Sequence, residues 1–526
     1  RSIGVLQPMI LFFAIMSSRL GVKFLFSENI IIRKSINKKN VLVYGAGDAG
    51  RQLVIALENS PEFKVAGFLD DNPQLDGQVI LNQTIHSPMI LEKLIQSKEI
   101  SLVFLALPTI SRIKRNKIIE NLNKFELIVK TLPSISEIVD GRINVSDIKD
   151  FNINDLLNRD EVQPNEKLLN KNINSKNVLV TGAGGSIGSE LCRQIARLEP
   201  KKLILVELNE FALYKIYEEL IILNKNLKIF SLLINTQDQK KLEEVFETFK
   251  IDTVYHASAY KHVPLVEENI CEGVKNNVFS TLAVARASVL KQVSNLVLIS
   301  SDKAVRPTNI MGASKRVSEL CLQALFGELL MLNKDKPKTK ISIVRFGNVI
   351  DSSGSVIPKF REQIRNGGPL TITHKEIRRF FMTISEAAEL VIQAGAMASG
   401  GDVFVLDMGE PVKIITLATR MIELSGLTVK NNSNPNGDIA IKMIGLRPGE
   451  KLYEELLISN NPEATKHPKI FKSLDPYIEW SKLKPKVDSL QKLLIKNDHK
   501  AIRNLLIDIV SDFHPKNEIV DYVYKY

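Results

Sequence analysis

Three side chains that can exchange protons follow one apolar run of the sequence. Ser301, Asp302 and Lys303 follow Ser300, at the end of residues 296–299, which have the short apolar pattern of a buried β-strand. A carboxyl group beside an amine can act as acid and base within one site. Lys315 follows in the next predicted helix. We predict proton-transfer chemistry at this strand end, because α/β proteins place their sites at the carboxyl edge of the sheet.

A glycine-rich loop upstream of this strand end predicts a dinucleotide site. A predicted strand at 177–180 leads into glycines at 182, 185 and 188, which allow a sharp turn and close approach of the backbone to a pyrophosphate. The next strand ends at Glu207, whose carboxylate can accept both hydroxyls of an adenosine ribose and would repel a 2′-phosphate, so NAD is favoured over NADP. The residues expected to bind this cofactor are Gly182, Gly185, Ser186, Ile187, Gly188, Glu207, Asn235, Ala257, Ala259, Asn277 and Lys315.

A second glycine loop, Gly45 to Gly50, follows a predicted strand near the start of the chain. The strand after it ends at Asp70, about where a ribose-binding acid would lie. No acid, base or nucleophile follows the later predicted strand at 102–107. We therefore expect a structural or regulatory Rossmann-type module, with nucleotide or acyl-cofactor binding as the alternative.

The composition indicates a globular protein of two or three domains. The 526 residues exceed one ordinary core, and 44% are hydrophobic and 25% charged. The net charge is +11, but the basic residues are spread out, which favours a solvated surface over nucleic-acid binding. Cys192, Cys271 and Cys321 lack metal-ligand spacing, so we expect no metal site and a reducing compartment.

The amino-terminal segment predicts membrane attachment. Residues 3–16 are mostly apolar, which is shorter than the roughly 20 residues that cross a bilayer. A buried or interfacial helix is one alternative. Positive residues from Arg19 onward favour the end of a transmembrane helix whose beginning is missing, with the rest of the chain on the cytoplasmic side.

Alternating predicted strands and helices indicate an α/β fold with two Rossmann-type parallel-sheet domains in series. The second is expected to be of the extended short-chain dehydrogenase type, with a C-terminal substrate-binding part. An apolar stripe in the tail, from Ile502 to Val510, predicts core packing or an oligomer contact, and we expect a homo-oligomer. The expected ranges are 1–19 for the end of the transmembrane helix, 20–135 for a CoA-binding-like Rossmann domain, 136–176 for a linker, 177–470 for the NAD-binding domain and 471–526 for a helical tail.

Six ordered segments resemble the membrane-associated nucleotide-sugar dehydratases of bacterial polysaccharide biosynthesis, in particular the UDP-N-acetylglucosamine 4,6-dehydratases. They are TGAGGSIGSEL, YHASAYKHVPLVE, SSDKAVRPTNIMGASKR, VRFGNVIDSSGSVIPKF, RRFFMTISEAAEL and GLRPGEKLYEEL, between residues 176 and 470. The N-terminal module also resembles the domain that precedes the catalytic one in long, membrane-anchored members. The resemblance implies a bacterial cytoplasmic-membrane location and a UDP-sugar substrate.

The resemblance also implies roles for the reactive residues. A 4,6-dehydratase oxidises C4 of the sugar with bound NAD, eliminates water across C5 and C6, and returns the hydride to C6. By this analogy Asp302 would protonate the departing C6 hydroxyl, Lys303 would take the C5 proton, and Ser301 would form a hydrogen bond with the C4 oxygen. Lys315 would hold the nicotinamide ribose. The first two roles require a protonated Asp302 beside a neutral Lys303, which we expect desolvation to favour.

Met311 marks a departure from related dehydrogenases, in which a Tyr stands four residues before the active-site Lys. A thioether has no proton to give, so the base for the first oxidation is open. Our hypothesis is ionised Asp302, relayed through Ser301 or water. A C5-inverting dehydratase, a 4-epimerase and a non-catalytic membrane-tethered regulator are the alternatives, and the missing phenol argues against the epimerase.

Substrate recognition is expected from loops of the C-terminal part. Arg345 and Asn348 follow the sixth strand, and a small-residue loop around Ser355 could close over a uridine diphosphate. Arg447 and Glu450 resemble the family's diphosphate and ribose contacts, since Arg can bind phosphate bidentately. The expected substrate-binding residues are Lys261, Asn348, Ser355, Val356, Arg447 and Glu450.

Overall fold

The computed structural model describes residues 11–19, 38–131 apart from single positions and short gaps, 149–150, and 162–525 apart from 333–336, 426 and 459–461. The chain divides into two compact units, Arg1–Asp160 and Glu161–Tyr526. Each unit is built around its own sheet, and each is described by itself below.

The first unit contains a seven-stranded sheet in the order β3-β4-β2-β1-β5-β6-β7. The pairs from β4 to β6 are parallel, and the two edge pairs are antiparallel. Buried apolar side chains of β1, β5 and α1 form its core. The strands are β1 (Lys39–Tyr44), β2 (Phe63–Leu69), β3 (Val79–Ile80), β4 (Gln83–His86), β5 (Leu102–Leu105), β6 (Ile128–Thr131) and β7 (Lys149–Asp150), and the helices are α1 (Asp48–Glu58) and α2 (Leu91–Lys98).

The second unit contains a nine-stranded sheet in the order β10-β9-β8-β11-β12-β13-β18-β23-β22. The pairs from β10 to β18 are parallel, and the last two are antiparallel. The strands of this sheet are β8 (Asn177–Thr181), β9 (Lys202–Glu207), β10 (Ile229–Leu233), β11 (Thr253–His256), β12 (Asn295–Ile299), β13 (Lys340–Arg345), β18 (Asp402–Leu406), β22 (Glu463–Ala464) and β23 (Ile470–Ser473).

Helices cover this sheet, and short strands extend from it. The small strands are β14 (Asn348–Val349), β15 (Leu370–Ile372), β16 (Arg378–Arg379), β17 (Phe381–Met382), β19 (Val412–Lys413), β20 (Val429–Lys430) and β21 (Ile439–Met443). The helices are α3 (Glu166–Lys171), α4 (Ser186–Arg197), α5 (Glu210–Leu223), α6 (Gln239–Phe249), α7 (Val263–Glu268), α8 (Ile270–Val274), α9 (Ser280–Leu290), α10 (Ile310–Leu332), α11 (Val356–Arg365), α12 (Ile384–Met397), α13 (Ile414–Leu424), α14 (Trp480–Lys496), α15 (His499–Ile509) and α16 (Tyr522–Lys525).

The expected α/β fold with two parallel sheets in series is confirmed, but the units extend further than the expected ranges. The strand β7 pairs with β6, so the first sheet continues beyond residue 135. The helix α3 lies in the second unit, where Lys171 Nζ donates to the carbonyl of Ala396. The C-terminal helices α14 and α15 share a core with α10, in which Ile502 and Leu506 are buried. The apolar stripe of the tail is therefore core.

Residues 11–19 are helical, and the side chains of Leu11, Phe12 and Phe13 are exposed. Within the part of the chain that the structure describes, no helix is both long enough and apolar enough to cross a bilayer.

Candidate active site

A cavity of about 790 Å³ lies at the carboxyl edge of the second sheet. It joins the glycine loop after β8, the segments after β11, β12 and β13, and the first turns of α10. A volume of this size is typical of small-molecule sites. The expected site residues that line it are Gly185, Ser186, Ile187, Gly188, Ala257, Ala259, Lys261, Ser301, Lys303, Lys315, Asn348 and Ser355.

Ser301, Asp302 and Lys303 form one hydrogen-bonded group at the end of β12. Ser301 Oγ donates to Asp302 Oδ1 over 2.9 Å, and Lys303 Nζ donates to the same oxygen over 3.0 Å. Asp302 is fully buried and does not line the cavity, whereas Ser301 and Lys303 do. Asp302 Oδ2 has no hydrogen-bond partner among the described residues. The serine and the lysine therefore connect the cavity to a carboxylate behind its wall.

Lys303 also contacts residues from other segments. Its Nζ donates to Asn348 Oδ1 over 3.2 Å and lies 3.6 Å from Glu454 Oε1. The expectation that desolvation makes Lys303 neutral is wrong in direction: burial alone would lower the pKa of Lys303, but the charges of Asp302 and Glu454 outweigh burial and raise it. Glu454 was not predicted, and its signal in the sequence is its place in the GLRPGEKLYEEL segment.

Lys315 is buried at the cavity wall, in the second turn of α10. Its Nζ donates to the carbonyl oxygen of Ile299 over 2.9 Å. Burial lowers the pKa of Lys315 to about 8, although Glu319 partly opposes this. Met311 lines the same cavity and is 2% exposed. The helix thus presents a thioether and an amine, one turn apart, to the same space.

Asn277, which the sequence assigned to the cofactor site, braces the loop after β11. It lies in a π-helical turn, Lys275–Phe279, of the kind often found at functional sites. Its side chain accepts from Tyr260 N over 2.8 Å and donates to Tyr260 O over 3.1 Å. It also donates to Ser314 Oγ, next to Lys315. Asn277 therefore links the loop after β11 to the start of α10, and both segments line the cavity.

The glycine loop fits a dinucleotide. Gly182 has φ +64°, and a Cβ there would lie 2.8 Å from the backbone of Ala257 and Ser258. The helix α4 begins after Gly185 without a side-chain cap, and its first residues line the cavity, so its N-terminal N–H groups can bind a phosphate. Glu207 ends β9 and accepts from Gly184 N over 3.0 Å, which fixes its carboxylate beside the loop. These donors and this acid are the groups that NAD requires.

Several expected residues do not line the cavity. Asn235 is exposed, and its side chain accepts from Gln237 N in a local turn. Arg447 is exposed, while Glu450 accepts from Thr373 Oγ1 over 3.1 Å. The other expected residues outside the lining are Gly182, Glu207, Asn277, Asp302 and Val356.

The expectation that Arg345 recognises substrate is wrong. Arg345 is fully buried, and its Nε donates to Glu319 Oε1 over 2.8 Å. Its Nη2 donates to Glu319 and to Asp475, each over 2.5 Å. Ser300 Oγ donates to the same Glu319 over 2.6 Å, so this network anchors the strand end that leads to Ser301. Arg345 supports the site from inside the core.

Metal-ligand geometry is not found among the described residues: no three His, Cys, Asp or Glu side chains come together in a way that could hold a metal ion.

The second unit matches a known protein family. The family model described as polysaccharide biosynthesis protein matches residues 178–474. The chain belongs to this family. The capsular polysaccharide biosynthesis protein CapD of Staphylococcus aureus is 41% identical over 479 residues, covering 89% of this chain and 76% of that protein.

Two further relatives of this chain are named for different reactions. A UDP-N-acetylglucosamine 4,6-dehydratase (inverting) of Campylobacter jejuni is 30% identical, covering 58% of this chain and 84% of that protein. A UDP-glucose 4-epimerase of Rickettsia bellii is 31% identical, covering 54% and 78%. Nucleotide-sugar modification is common to both names. The near-equal identities do not separate the two reactions, so the choice between them depends on the site.

Proposed function

We propose that the second unit binds NAD and catalyses 4,6-dehydration of UDP-N-acetylglucosamine or a similar UDP-N-acetylhexosamine, in the synthesis of a polysaccharide or other glycan. The observation that carries the proposal is the group formed by Ser301, Asp302 and Lys303 at a cavity where Met311 replaces a phenol. Bound NAD would supply a hydride acceptor at C4 that becomes the donor to C6, so no net oxidation occurs. Glu207 and the first turn of α4 would hold its adenosine ribose and pyrophosphate.

The arrangement supports a proton relay for the first step. Ser301 Oγ faces the cavity and donates to the buried carboxylate of Asp302. As the serine takes the proton of the C4 hydroxyl, it passes its own proton to Asp302. This relay supplies the base that Met311 cannot provide, and it leaves Asp302 protonated.

The same proton then serves the elimination. Protonated Asp302 returns it through Ser301 to the departing C6 oxygen, which leaves as water, while neutral Lys303 removes the C5 proton. Lys303 returns that proton to C5 when the hydride reaches C6. Asp302 therefore holds the proton from the C4 hydroxyl, and Lys303 holds the proton from C5. The two side chains lie 3.0 Å apart. A 4-epimerase neither removes the C5 proton nor expels the C6 hydroxyl, so its reaction does not require this acid and base.

The test is product analysis with purified protein and UDP-N-acetylglucosamine. We expect an absorbing 4-keto-6-deoxy product, and NMR reports its configuration at C5. Retained C5 configuration supports the proposal, and an inverted C5 indicates the inverting dehydratase instead. A C4 epimer without loss of water would indicate an epimerase. Absence of both product and transient NADH would support a binding-only regulator and sink the proposal.

We further propose that the chain is attached to the bacterial cytoplasmic membrane through its N-terminal region, with the second unit in the cytoplasm, and forms a homo-oligomer. The exposed apolar side chains of helical residues 11–19 support the attachment. Co-sedimentation with vesicles of bacterial lipids should be lost when residues 1–19 are deleted. Equal sedimentation of both forms would contradict attachment, and light scattering after size exclusion reports the oligomer.

A further inference from the structure

Lys303 lies between two carboxylates rather than one. Asp302 Oδ1 is 3.0 Å from its Nζ, and Glu454 Oε1 is 3.6 Å away. Glu454 comes from the segment after β21, far along the chain from Lys303, and its side chain is 3% exposed. It is not among the residues that line the cavity, whereas Lys303 is. Of the two cations that Glu454 contacts, Lys303 and Arg379, Lys303 is the one that lines the cavity.

Glu454 is poorly satisfied for a buried carboxylate. Its Oε2 has no hydrogen-bond partner among the residues that the structure describes. Its Oε1 has Arg379 Nε at 3.8 Å in addition to Lys303. A buried acceptor without a partner costs folding free energy, and such groups are concentrated at functional sites. One oxygen of Glu454 thus pairs with two cations, while the other stays unsatisfied at a folding cost.

We propose that Glu454 is a positioning residue for proton transfer, which orients the Lys303 amine toward the cavity and stabilises the ammonium that forms when Lys303 removes the C5 proton. This inference rests on the proposed dehydration. Lys303 must be neutral to accept the proton and becomes charged by doing so. A fixed carboxylate behind the amine makes it a stronger base and holds its Nζ in place.

The groups around Lys303 set the expected pH dependence. Asp302 faces it from its own turn, Glu454 and Lys451 from the segment after β21, and Arg379 from β16. Burial lowers the pKa of Lys303, the two carboxylates raise it, and Arg379 lowers it. The net effect raises the pKa. Removing the charge of Glu454 should therefore make Lys303 lose its proton at lower pH.

The experiment measures kcat and KM of the full chain with UDP-N-acetylglucosamine across pH, for wild type and Glu454→Gln. In the profile of rate against pH, the rise that requires neutral Lys303 is called the limb. It should move to lower pH by roughly one pH unit, since a charge within 4–6 Å shifts a pKa by about 1–3 pH units. On the plateau, kcat should fall about tenfold with KM unchanged, because the base is weaker and less fixed. A purely structural role would change stability and leave the limb in place.

The neighbouring Glu455→Gln is the matched control. Glu455 is partly exposed and pairs with Arg306, so its variant should keep the wild-type limb and kcat. If Glu454→Gln does not fold, Glu454→Asp replaces it, and the withdrawn carboxylate should shift the limb in the same direction by less.

An unmoved limb in the folded Glu454 variant, with an active wild type, overturns this inference alone. Absence of dehydration by the wild type overturns the proposed function and this inference with it.

Discussion

At the residue scale, the buried position of Asp302 separates two possible roles. The carboxylate is fully buried, and Ser301 lies between it and the cavity. If Asp302 served only as the acid of the elimination, the earlier oxidation at C4 would not need it. If it is also the base of that oxidation, the two steps should fail together.

We expect Asp302→Asn to abolish the first oxidation. Reduction of bound NAD by substrate should fall by at least about a hundredfold, since an amide cannot take the proton that Ser301 passes on. Stopped-flow absorbance of the reduced nicotinamide measures this step. The exposed Asp488→Asn should behave as wild type. Normal reduction with only elimination blocked would contradict the relay.

Met311 offers a complementary test. A tyrosine there would place a phenol one helical turn before Lys315, whose charge favours the phenolate. In the double variant Asp302→Asn/Met311→Tyr, we expect reduction of NAD to recover by about tenfold or more over the single variant, without any 4-keto-6-deoxy product. The same absorbance trace and product analysis by NMR report both steps. No recovery in a folded double variant would show that the missing base is not the defect.

The buried His256 makes the second unit sensitive to acid. Thr281 Oγ1 donates to Asn277 O, so it can accept from His256 Nε2–H, and Thr181 Oγ1 can donate to Nδ1. This arrangement suits the neutral ring. Burial first, and the charge of Lys315 second, lower the pKa of His256 to about 3. The unfolded state therefore binds a proton that the folded state refuses between about pH 6.5 and 3.

Stability from this site is present above pH 6.5 and is lost as the pH falls toward 3. Between pH 7 and 5 the loss should be about 2 kcal/mol of unfolding free energy. His256→Gln should remove that part of the pH dependence, as measured by thermal unfolding at both pH values. His514→Gln changes an exposed histidine and should retain the wild-type dependence. Equal pH dependence of wild type and His256→Gln would contradict this account.

At the element scale, the helix α10 packs directly on the reactive turn. A Cβ at Gly312 would lie 2.2 Å from the carbonyl oxygen of Lys303, which no side chain can relieve. Glu267 Oε1 accepts from Ile310 N over 2.6 Å and fixes the start of the same helix. The distance between the lysines at 303 and 315 is thus set by backbone contact, and a single methyl group should disturb it.

We expect Gly312→Ala to lower kcat by about tenfold or more and to lower stability by about 1–3 kcal/mol, because the helix must move away from Lys303. Gly327→Ala on the same helix is the control, since its Cβ would meet Tyr477 at an ordinary 3.4 Å. That control should be neutral or stabilising, because alanine favours helix. Steady-state kinetics and thermal unfolding of both variants measure the two effects. Unchanged kcat in Gly312→Ala would show that α10 adjusts without affecting the site.

Sequence patterns predicted the parts of the site that belong to single elements. The glycine loop and the strand end at Ser301 have local signals, because a strand that meets a turn at the sheet edge is visible in the apolar pattern. Arg345 was misplaced because the residue at a strand end can point to either face of the sheet. Glu454 was missed because it approaches Lys303 from an irregular segment, and long-range contacts of that kind leave no periodicity in sequence.

At the scale of the whole molecule, the reactive groups and the dinucleotide loop all belong to one compact unit. Ser301, Lys303, Lys315 and the glycine loop line one cavity within residues 161–526. The C-terminal helices also contribute to the core behind α10. The sheet of this unit includes β8, near its start, and β22 and β23, which lie beyond residue 460. Chemistry and folding therefore depend on the same continuous stretch of chain.

A chain of residues 161–526 should fold alone and retain dehydration of UDP-N-acetylglucosamine with kcat within about threefold of the full chain, since a domain with its own core can fold independently. Ending the chain at residue 475 instead should abolish soluble expression, because it removes the buried Leu483, Leu490 and Leu506 from the core. Circular dichroism, thermal unfolding and steady-state kinetics of the two truncated chains measure this. A folded but inactive 161–526 chain would assign the first unit a part in the reaction, because every group placed in the cavity would still be present.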